Sequence, residues 1–176
     1  MAERQWFGFK YQKEFCQKNN LIENKNYTDK FDTKIKNLDC QIKTYKSNCE
    51  LMMADPFRYL KNKEDFILVV ANRNDKDEII SERKILIKNN KLQSFFKEQD
   101  FEFRVNYCKS LLASVTNDAS DDKYFKEHMK AEQEARKDSI INVQAKRDHK
   151  KQKRVQWSIP NRYIDDFINL FDEIEI

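Results

Sequence analysis

YTDKFDTKIKNLDCQIKTYK, residues 27–46, contains two short alternating runs that meet at a polar turn. The first run carries Asp32, and the second carries Gln41 and Lys43. Because successive side chains of a β-strand point to opposite faces, Gln41 and Lys43 project together from one face. The stretch therefore predicts two neighbouring strands on which a carboxylate, an amide oxygen and an ammonium could converge on a divalent cation, a phosphate and a water.

An amphipathic helix is predicted before this strand pair, over residues 5–20. Phe7, Tyr11 and Phe15 recur at helical spacing and form its apolar face, and Glu14 lies on the adjacent flank. Any functional role of this helix depends on Glu14.

A crossover is predicted after the strand pair. Asp55 and Pro56 mark the start of a helix over residues 56–62, because Asp is a good cap and Pro is favoured at the first helical position. Residues 66–71, FILVVA, are a continuous apolar run bounded by polar residues, which is typical of a central strand buried on both faces. The order strand, helix, strand predicts a right-handed crossover and a parallel pair of strands.

Three further elements complete the predicted core. They are a strand at 84–88 (KILIK), a short helix around 92–97 and an alternating strand at 101–107. We therefore assign residues 1–115 to an α/β core and residues 116–176 to a charged helical arm with a C-terminal amphipathic helix.

The arm and the final helix are predicted from a change in composition. Charge dominates residues 118–154, which predicts a weakly anchored helical segment. Ser158, Ile159 and Pro160 form a plausible helix start. The apolar side chains that follow share one stripe: Ile159, Tyr163, Phe167, Leu170 and Ile174. We expect this stripe to pack against a hydrophobic partner.

Composition excludes several classes of protein. Four cysteines without a CxxC pair, with only two histidines, provide neither zinc-ligand spacing nor a disulfide framework, so we expect a reducing, cytoplasmic compartment. The single glycine, Gly8, excludes glycine-rich phosphate loops. No apolar run approaches the roughly 20 residues of a membrane span and the N-terminus lacks a signal-peptide core, so no membrane association is expected.

A basic run occupies residues 146–154, KRDHKKQKR. Cations that contact phosphates release condensed counterions, so such a run suits nucleic-acid binding. A solvated helix face explains the run equally well. The candidate nucleic-acid contacts are Lys146, Arg147, Lys150, Lys151, Lys153 and Arg154.

The order of these residues and elements resembles the PD-(D/E)XK nuclease superfamily, whose members have the restriction-endonuclease-like fold. The resemblance covers about residues 7–71. Asp32 matches the aspartate of the motif, Gln41 stands where the second acidic residue usually lies, and Lys43 matches the lysine. Glu14 matches the first-helix glutamate that many members add.

The resemblance implies a mixed central sheet flanked by helices, Mg²⁺ as cofactor, and cleavage of phosphodiester bonds in double-stranded DNA. The chain departs from the motif at Phe31, which replaces a proline, and at Gln41, which replaces a carboxylate. Some restriction and homing endonucleases are similar in using Gln there. A type II restriction endonuclease is therefore expected first, and a homing endonuclease or a structure-selective repair nuclease next. A homodimer formed through the final helix would match a palindromic site.

The oxygen donors also suit the metal on chemical grounds. Mg²⁺ prefers octahedral oxygen ligands and usually takes only one or two carboxylates, so Asp32, Glu14 and the Gln41 carbonyl form a sufficient set. The metal would lower the pKa of a bound water, and Lys43 would orient that water or neutralise the attacked phosphate.

Other interpretations stay open. Asp29 and Asp39 are rival metal ligands, and Asp39 shares a strand face with Gln41 and Lys43. Asp32 and Lys43 could instead form a cross-strand ion pair on a solvated face. If Gln41 disables the site, the chain would be a non-catalytic nucleic-acid-binding protein. A third possibility is an interaction protein that docks a partner through the arm.

Overall fold

The computed structural model describes residues 3–24, 31–115, 119–148 and 152–176. In chain order its elements are α1 (Glu3–Lys18), β1 (Thr33–Ile35), β2 (Leu38–Lys46), β3 (Leu51–Ala54), α2 (Pro56–Leu60), β4 (Phe66–Arg73), β5 (Ile79–Ile87), α3 (Asn89–Glu98), α4 (Phe101–Ser114), α5 (Ala119–Ala135), β6 (Asn142–Asp148), β7 (Gln152–Ile159), a 3₁₀ turn (Asn161–Tyr163), α6 (Ile164–Ile168) and β8 (Asp172–Glu173). The protein is thus of the mixed α/β class, with a mixed sheet flanked by helices.

The chain divides into two compact units, each assembled from segments that are far apart in sequence. The first unit comprises Met1–Leu51, Lys63–Leu92 and Asn161–Ile176, and the second comprises Met52–Asn62 and Gln93–Pro160. The predicted division into residues 1–115 and 116–176 was based on how charge is distributed along the sequence, whereas these two units are defined by contacts between residues.

The first unit contains a five-stranded sheet in the order β1-β2-β4-β5-β8. β2 and β4 are parallel neighbours, as predicted, and the other pairs are antiparallel. The predicted strand pair begins with only three residues of β1 and turns at Lys36 and Asn37, which both have positive φ. Two such residues form the tight turn that matches the twist of a β-hairpin.

β4 lies at the centre of this sheet. Every residue from Phe66 to Ala71 is buried, which confirms the strand predicted from the FILVVA run. The register places Gln41 beside Leu68 and Lys43 beside Val70. The strand predicted at KILIK and the helix that follows it are also confirmed, as β5 and α3.

α1 confirms the predicted first helix and covers one face of the sheet. Its apolar side chains form one core cluster with residues of β1, β2 and β4: Phe7, Tyr11, Phe15, Cys16, Ile35, Cys40, Ile42, Ile67, Val69 and Ala71. Since Cys40 and Ile42 belong to this cluster, the strand alternation directs Gln41 and Lys43 to the opposite face of the sheet.

The segment between β2 and β4 contains the predicted helix. Asp55 Oδ1 accepts a hydrogen bond from Phe57 N at 2.9 Å, and Pro56 opens α2 as expected. The helix ends at Leu60, two residues earlier than predicted. It belongs to the second unit, where it packs against α4 and β7.

The strand predicted at 101–107 is wrong, because this segment is the start of α4. Phe101, Val105 and Cys108 are buried at helical spacing, and Phe103 is 66% exposed. The alternation of aromatic residues imitated a strand, but burial follows the helical period.

The predicted helical arm is confirmed only in part. α5 is helical, but β6 and β7 form an antiparallel hairpin where a helix was expected. Val143, Ala145, Val155 and Trp157 are buried at a spacing of two along their strands, a pattern that the surrounding charges obscured. The hairpin joins β3 in a three-stranded sheet in the order β3-β7-β6.

The predicted C-terminal amphipathic helix is also wrong in extent. Ile159 belongs to β7, and the only α-helix after it that the described residues contain is the five-residue α6. Ile159 and Phe167 are buried within this chain, so they are not available as the dimer contact for which they were proposed. Among the described residues, no helix is long and apolar enough to cross a bilayer.

Candidate metal and phosphate site

Asp32 forms hydrogen bonds with the backbone of Cys40 and Ile42, the two residues that flank Gln41. Its N–H donates to Cys40 O at 2.9 Å, and its carboxylate Oδ2 accepts from Ile42 N at 2.6 Å. Gln41, between these two partners, is only 5% exposed. A short bond to an ionic acceptor is among the stronger hydrogen bonds in proteins. The carboxylate of Asp32 is thus fixed next to Gln41 by main-chain contacts.

The charge of Asp32 acts on two buried thiols. Burial is the main cause that raises the pKa of Cys40, and the negative charge of Asp32 raises it further. The pKa of Cys16 is also raised, by burial first and then by Glu23 and Asp32, against a lowering hydrogen bond with Thr33. Both thiols stay protonated at neutral pH, so neither competes as a thiolate for a cation.

Gln41 and Lys43 share one face of β2, as predicted. The register continues from Lys43 through Val70 to Arg83 on β5. The Arg83 guanidinium lies 3.6 Å from the Asp165 carboxylate and donates to Asn169 and Glu173 at 3.0 and 3.3 Å. The C-terminal segment therefore neutralises the positive charge of Arg83. Lys43, which lies in the same cross-strand row as Val70 and Arg83, is half-buried.

Glu14 takes a different position from the one expected. Its side chain is 59% exposed and pairs with Lys10, one turn earlier on α1, at 3.8 Å. α1 packs on the face of the sheet opposite to Gln41 and Lys43. The structure brings Asp32, Gln41 and Lys43 to one hairpin and does not add Glu14 to them.

The rival ligands do not replace Glu14. Asp39 forms an ion pair with Lys34 at 3.6 Å across the β1–β2 hairpin. Asp29 lies outside the described residues. In the part of the chain that the structure describes, no three His, Cys, Asp or Glu side chains are grouped so that they could hold a metal.

The remaining donors are one carboxylate, on Asp32, and one amide oxygen, on Gln41. Mg²⁺ keeps several waters and often uses only one or two protein carboxylates together with substrate phosphate. The pair therefore fits Mg²⁺ as a site of low charge that water and a phosphate complete. It does not fit a cation that requires an all-protein cage.

The predicted phosphate contacts divide between the two faces of the β6–β7 hairpin. Lys146 pairs with Arg154 across the strands, and Arg147 pairs with Lys153. The other two candidates, Lys150 and Lys151, lie outside the described residues. Strand alternation would have separated these cations if the hairpin had been recognised in the sequence.

Comparisons with protein-family models, with curated proteins and with solved structures find no match to this chain. The resemblance to the PD-(D/E)XK superfamily therefore rests on Asp32, Gln41 and Lys43 and on the order of the elements that carry them.

Proposed function

We propose that this chain is a Mg²⁺-dependent endonuclease that hydrolyses phosphodiester bonds of double-stranded DNA on a restriction-endonuclease-like core. The observation that carries the proposal is the fixed position of Asp32 beside Gln41, on a hairpin whose second strand is the parallel neighbour of β4. Lys43 shares the strand face of Gln41, which gives the hairpin a carboxylate, an amide oxygen and an ammonium.

Each side chain has a distinct role in this proposal. Asp32 and Gln41 would hold Mg²⁺, which when bound lowers the pKa of water and stabilises negative charge on the reacting phosphate. Lys43 supplies a positive charge that neutralises the attacked phosphate and orients the nucleophilic water. The water forms a bond to phosphorus while the bond to the leaving sugar oxygen breaks; the water loses a proton to solvent, and the leaving oxygen takes up a proton from solvent to become a hydroxyl.

A type II restriction endonuclease is the first biological role that we propose. A cut in both strands at a palindromic site requires two such sites, so we propose two copies of the chain on one target. Ile159 and Phe167 are buried, so neither contributes to a dimer surface. Homing and repair roles use the same chemistry on other targets.

The test is cleavage of supercoiled plasmid DNA with Mg²⁺ and with EDTA. We expect nicked or linear products only with Mg²⁺, and we expect Asp32→Ala and Lys43→Ala each to abolish them. Glu14→Gln is the matched control, because it removes a carboxylate that pairs with Lys10 on the surface of α1. Unchanged cleavage in both site variants would refute the assignment.

A second candidate is a non-catalytic nucleic-acid-binding protein. Gln41 lacks the charge of the usual second carboxylate, and the described residues contain no three-ligand acidic group, which favours this alternative. It predicts that the wild-type chain binds duplex DNA and leaves it intact with Mg²⁺, Mn²⁺ or Ca²⁺.

A further inference from the structure

We propose that the outer face of α1, formed by Trp6, Phe9, Lys10 and Lys13, binds single-stranded DNA. The two aromatic rings stack on bases, and the two ammonium groups contact phosphates. The choice of DNA over RNA rests on the proposed function, whereas the stacking and the phosphate contacts rest on the geometry of the helix.

The four residues lie together on one side of α1. Residues at positions i, i+3, i+4 and i+7 of an α-helix share a face, and 6, 9, 10 and 13 have this spacing. The other side of the helix packs into the core of the first unit through Phe7, Tyr11, Phe15 and Cys16. The outer face therefore points away from the sheet.

Two large apolar side chains are exposed on this face. Trp6 is 56% exposed and Phe9 is 37% exposed. The chain buries its other tryptophan, Trp157, to 1% exposure. Scattered apolar residues are normal on a protein surface, but neighbouring exposed aromatic residues mark interaction sites. The outer face of α1 thus has the character of a binding surface.

Positive charge accompanies the aromatic rings. Lys10 Nζ lies 5.4 Å from the centroid of the Trp6 ring, which is within cation–π distance, and 3.8 Å from the carboxylate of Glu14. The exposed charged side chains that the structure describes on α1 carry three positive charges and one negative charge: Lys10, Lys13, Lys18 and Glu14. This surface is therefore complementary to a polyanion.

A single strand is the polyanion that also uses the aromatic rings. Its bases are unstacked, and every base has a face that can stack on an aromatic side chain, so binding of this kind tolerates any sequence. In a duplex the bases already stack on one another. A strand bound through stacking and lysine–phosphate contacts uses all four residues of the outer face.

Two other classes of partner fit this face less well. A helix that lies in a lipid surface needs a broad apolar face, and the broad apolar face of α1 is buried in the core. The centre of a protein–protein interface is depleted of lysine. Here Lys10 and Lys13 lie among the aromatic rings.

The outer face does not compete with the candidate metal site. α1 covers the face of the sheet opposite to Gln41 and Lys43, and the outer face is on the far side of α1. A strand bound there leaves Gln41 and Lys43 accessible to a second segment of DNA. The inference thus adds a single-strand contact to a protein proposed to cut the duplex.

Tryptophan fluorescence in EDTA, titrated with an oligo(dT) of about 15 nucleotides, tests the inference separately from cleavage. We expect saturable quenching, because Trp6 is exposed. Trp6→Leu should abolish the quenching and weaken binding of a labelled oligo(dT), measured by anisotropy, by about 5-fold or more. Trp6→Phe keeps an aromatic ring and should bind within about 2-fold of the wild type.

The lysines are tested by the salt dependence of the same binding. Lys10→Gln with Lys13→Gln should lower the slope of log K against log salt by about 1.4, the value expected when two phosphate contacts to a single strand are lost. The control is Lys34→Gln with Lys137→Gln, which removes two exposed cations away from α1 and should leave the slope unchanged.

Phe103→Leu is the matched control for the aromatic residues. Phe103 is 66% exposed and lies on α4 in the second unit, so its replacement should leave the affinity unchanged. All of these variants change exposed side chains, and their melting temperatures should stay near that of the wild type.

Three results would overturn the inference. They are equal affinity of Trp6→Leu and the wild type for oligo(dT), tighter binding to oligo(rU) than to oligo(dT), and quenching by vesicles of phosphatidylserine and phosphatidylcholine without quenching by oligo(dT).

Failure of the proposed function gives a different result from failure of the inference. If the proposed function fails, no divalent metal supports cleavage of plasmid DNA, but binding of oligo(dT) still depends on Trp6. If the inference fails, Mg²⁺-dependent cleavage by the wild type persists, but Trp6→Leu leaves the binding of oligo(dT) unchanged.

Discussion

Replacing Gln41 by glutamate tests the chemistry of the candidate site in a way that needs no substrate. The variant Gln41→Glu adds the carboxylate that the nuclease motif usually has at this position. Gln41 is 5% exposed and lies between the two backbone groups to which Asp32 is bound. Without a metal, the new carboxylate is therefore both desolvated and close to another negative charge.

The size of the effect follows from the pKa of the new group. Desolvation and a neighbouring carboxylate both raise an acidic pKa, and for this buried position we take a rise of about 2 units above the unfolded value of about 4.3. That rise corresponds to about 2.7 kcal/mol of lost stability. The loss is complete at a pH above the folded-state pKa and absent at a pH below the unfolded-state pKa. For a chain of this size the loss lowers the melting temperature by about 5–11 °C.

The assay is thermal unfolding followed by circular dichroism, at about pH 4 and about pH 8, with and without Mg²⁺. We expect near wild-type stability in acid, a lower melting temperature at the higher pH, and recovery when Mg²⁺ is added. Gln93→Glu is the control, since Gln93 is half-buried and donates to Tyr59 O in the second unit. Equal Mg²⁺ effects in both variants, or none in Gln41→Glu, would refute the reasoning.

Three further predictions concern the rest of the molecule. Arg104→Met should cost about 3–5 kcal/mol in thermal unfolding, because it leaves Glu132 without its buried cation at 3.3 Å; a loss below about 1 kcal/mol would contradict this. The hydrogen bond from Lys88 is the main cause that lowers the pKa of Asp65. The stability that Asp65 contributes is therefore present above its unfolded-state pKa and is lost in acid. Asp65→Asn should make the melting temperature fall less steeply as the pH is lowered into the acid range. Because burial raises the pKa of Cys40, its thiol should resist alkylation in the native protein and react after denaturation, which mass spectrometry of labelled peptides can check; rapid native labelling would count against the described core.

The first unit was largely predictable because its signals are local. The run at residues 66–71 is apolar without interruption, and only a central strand with both faces covered buries all of it. Lys36 and Asn37 mark a two-residue turn, which sets the register that places Gln41 and Lys43 on one face. The helix start at Pro56, although it lies in the second unit, was predictable for the same reason, since a cap is a property of neighbouring residues.

The second unit was not predictable to the same extent. The segment at 101–107 satisfies the strand period and the helix period at once, and only the tertiary contacts decide between them. In β6 and β7 the apolar alternation is interrupted by cations, because Arg147 and Lys153 occupy inward positions. Charge therefore predicted a solvated helix where a half-buried hairpin forms.

The candidate site shows the same limit at the level of single residues. Strand alternation was sufficient to place Gln41 and Lys43 together. The hydrogen bond between Asp32 and Ile42 N depends on the exact path of the chain before β1, which no sequence motif encodes. Glu14 lies at the edge of the apolar face of α1, and a rotation of the helix by a fraction of a turn decides whether such a residue faces the sheet or solvent.

The most direct test of the central claim is the single-turnover rate of DNA cleavage by Asp32→Asn with Mg²⁺. The asparagine oxygen can still accept the hydrogen bond from Ile42 N, so the variant removes the negative charge and keeps the hairpin. We predict that cleavage falls by about 100-fold or more, while DNA binding in EDTA and the melting temperature stay near the wild-type values. Cleavage within about threefold of the wild-type rate would contradict the assignment of Asp32 to the reacting site.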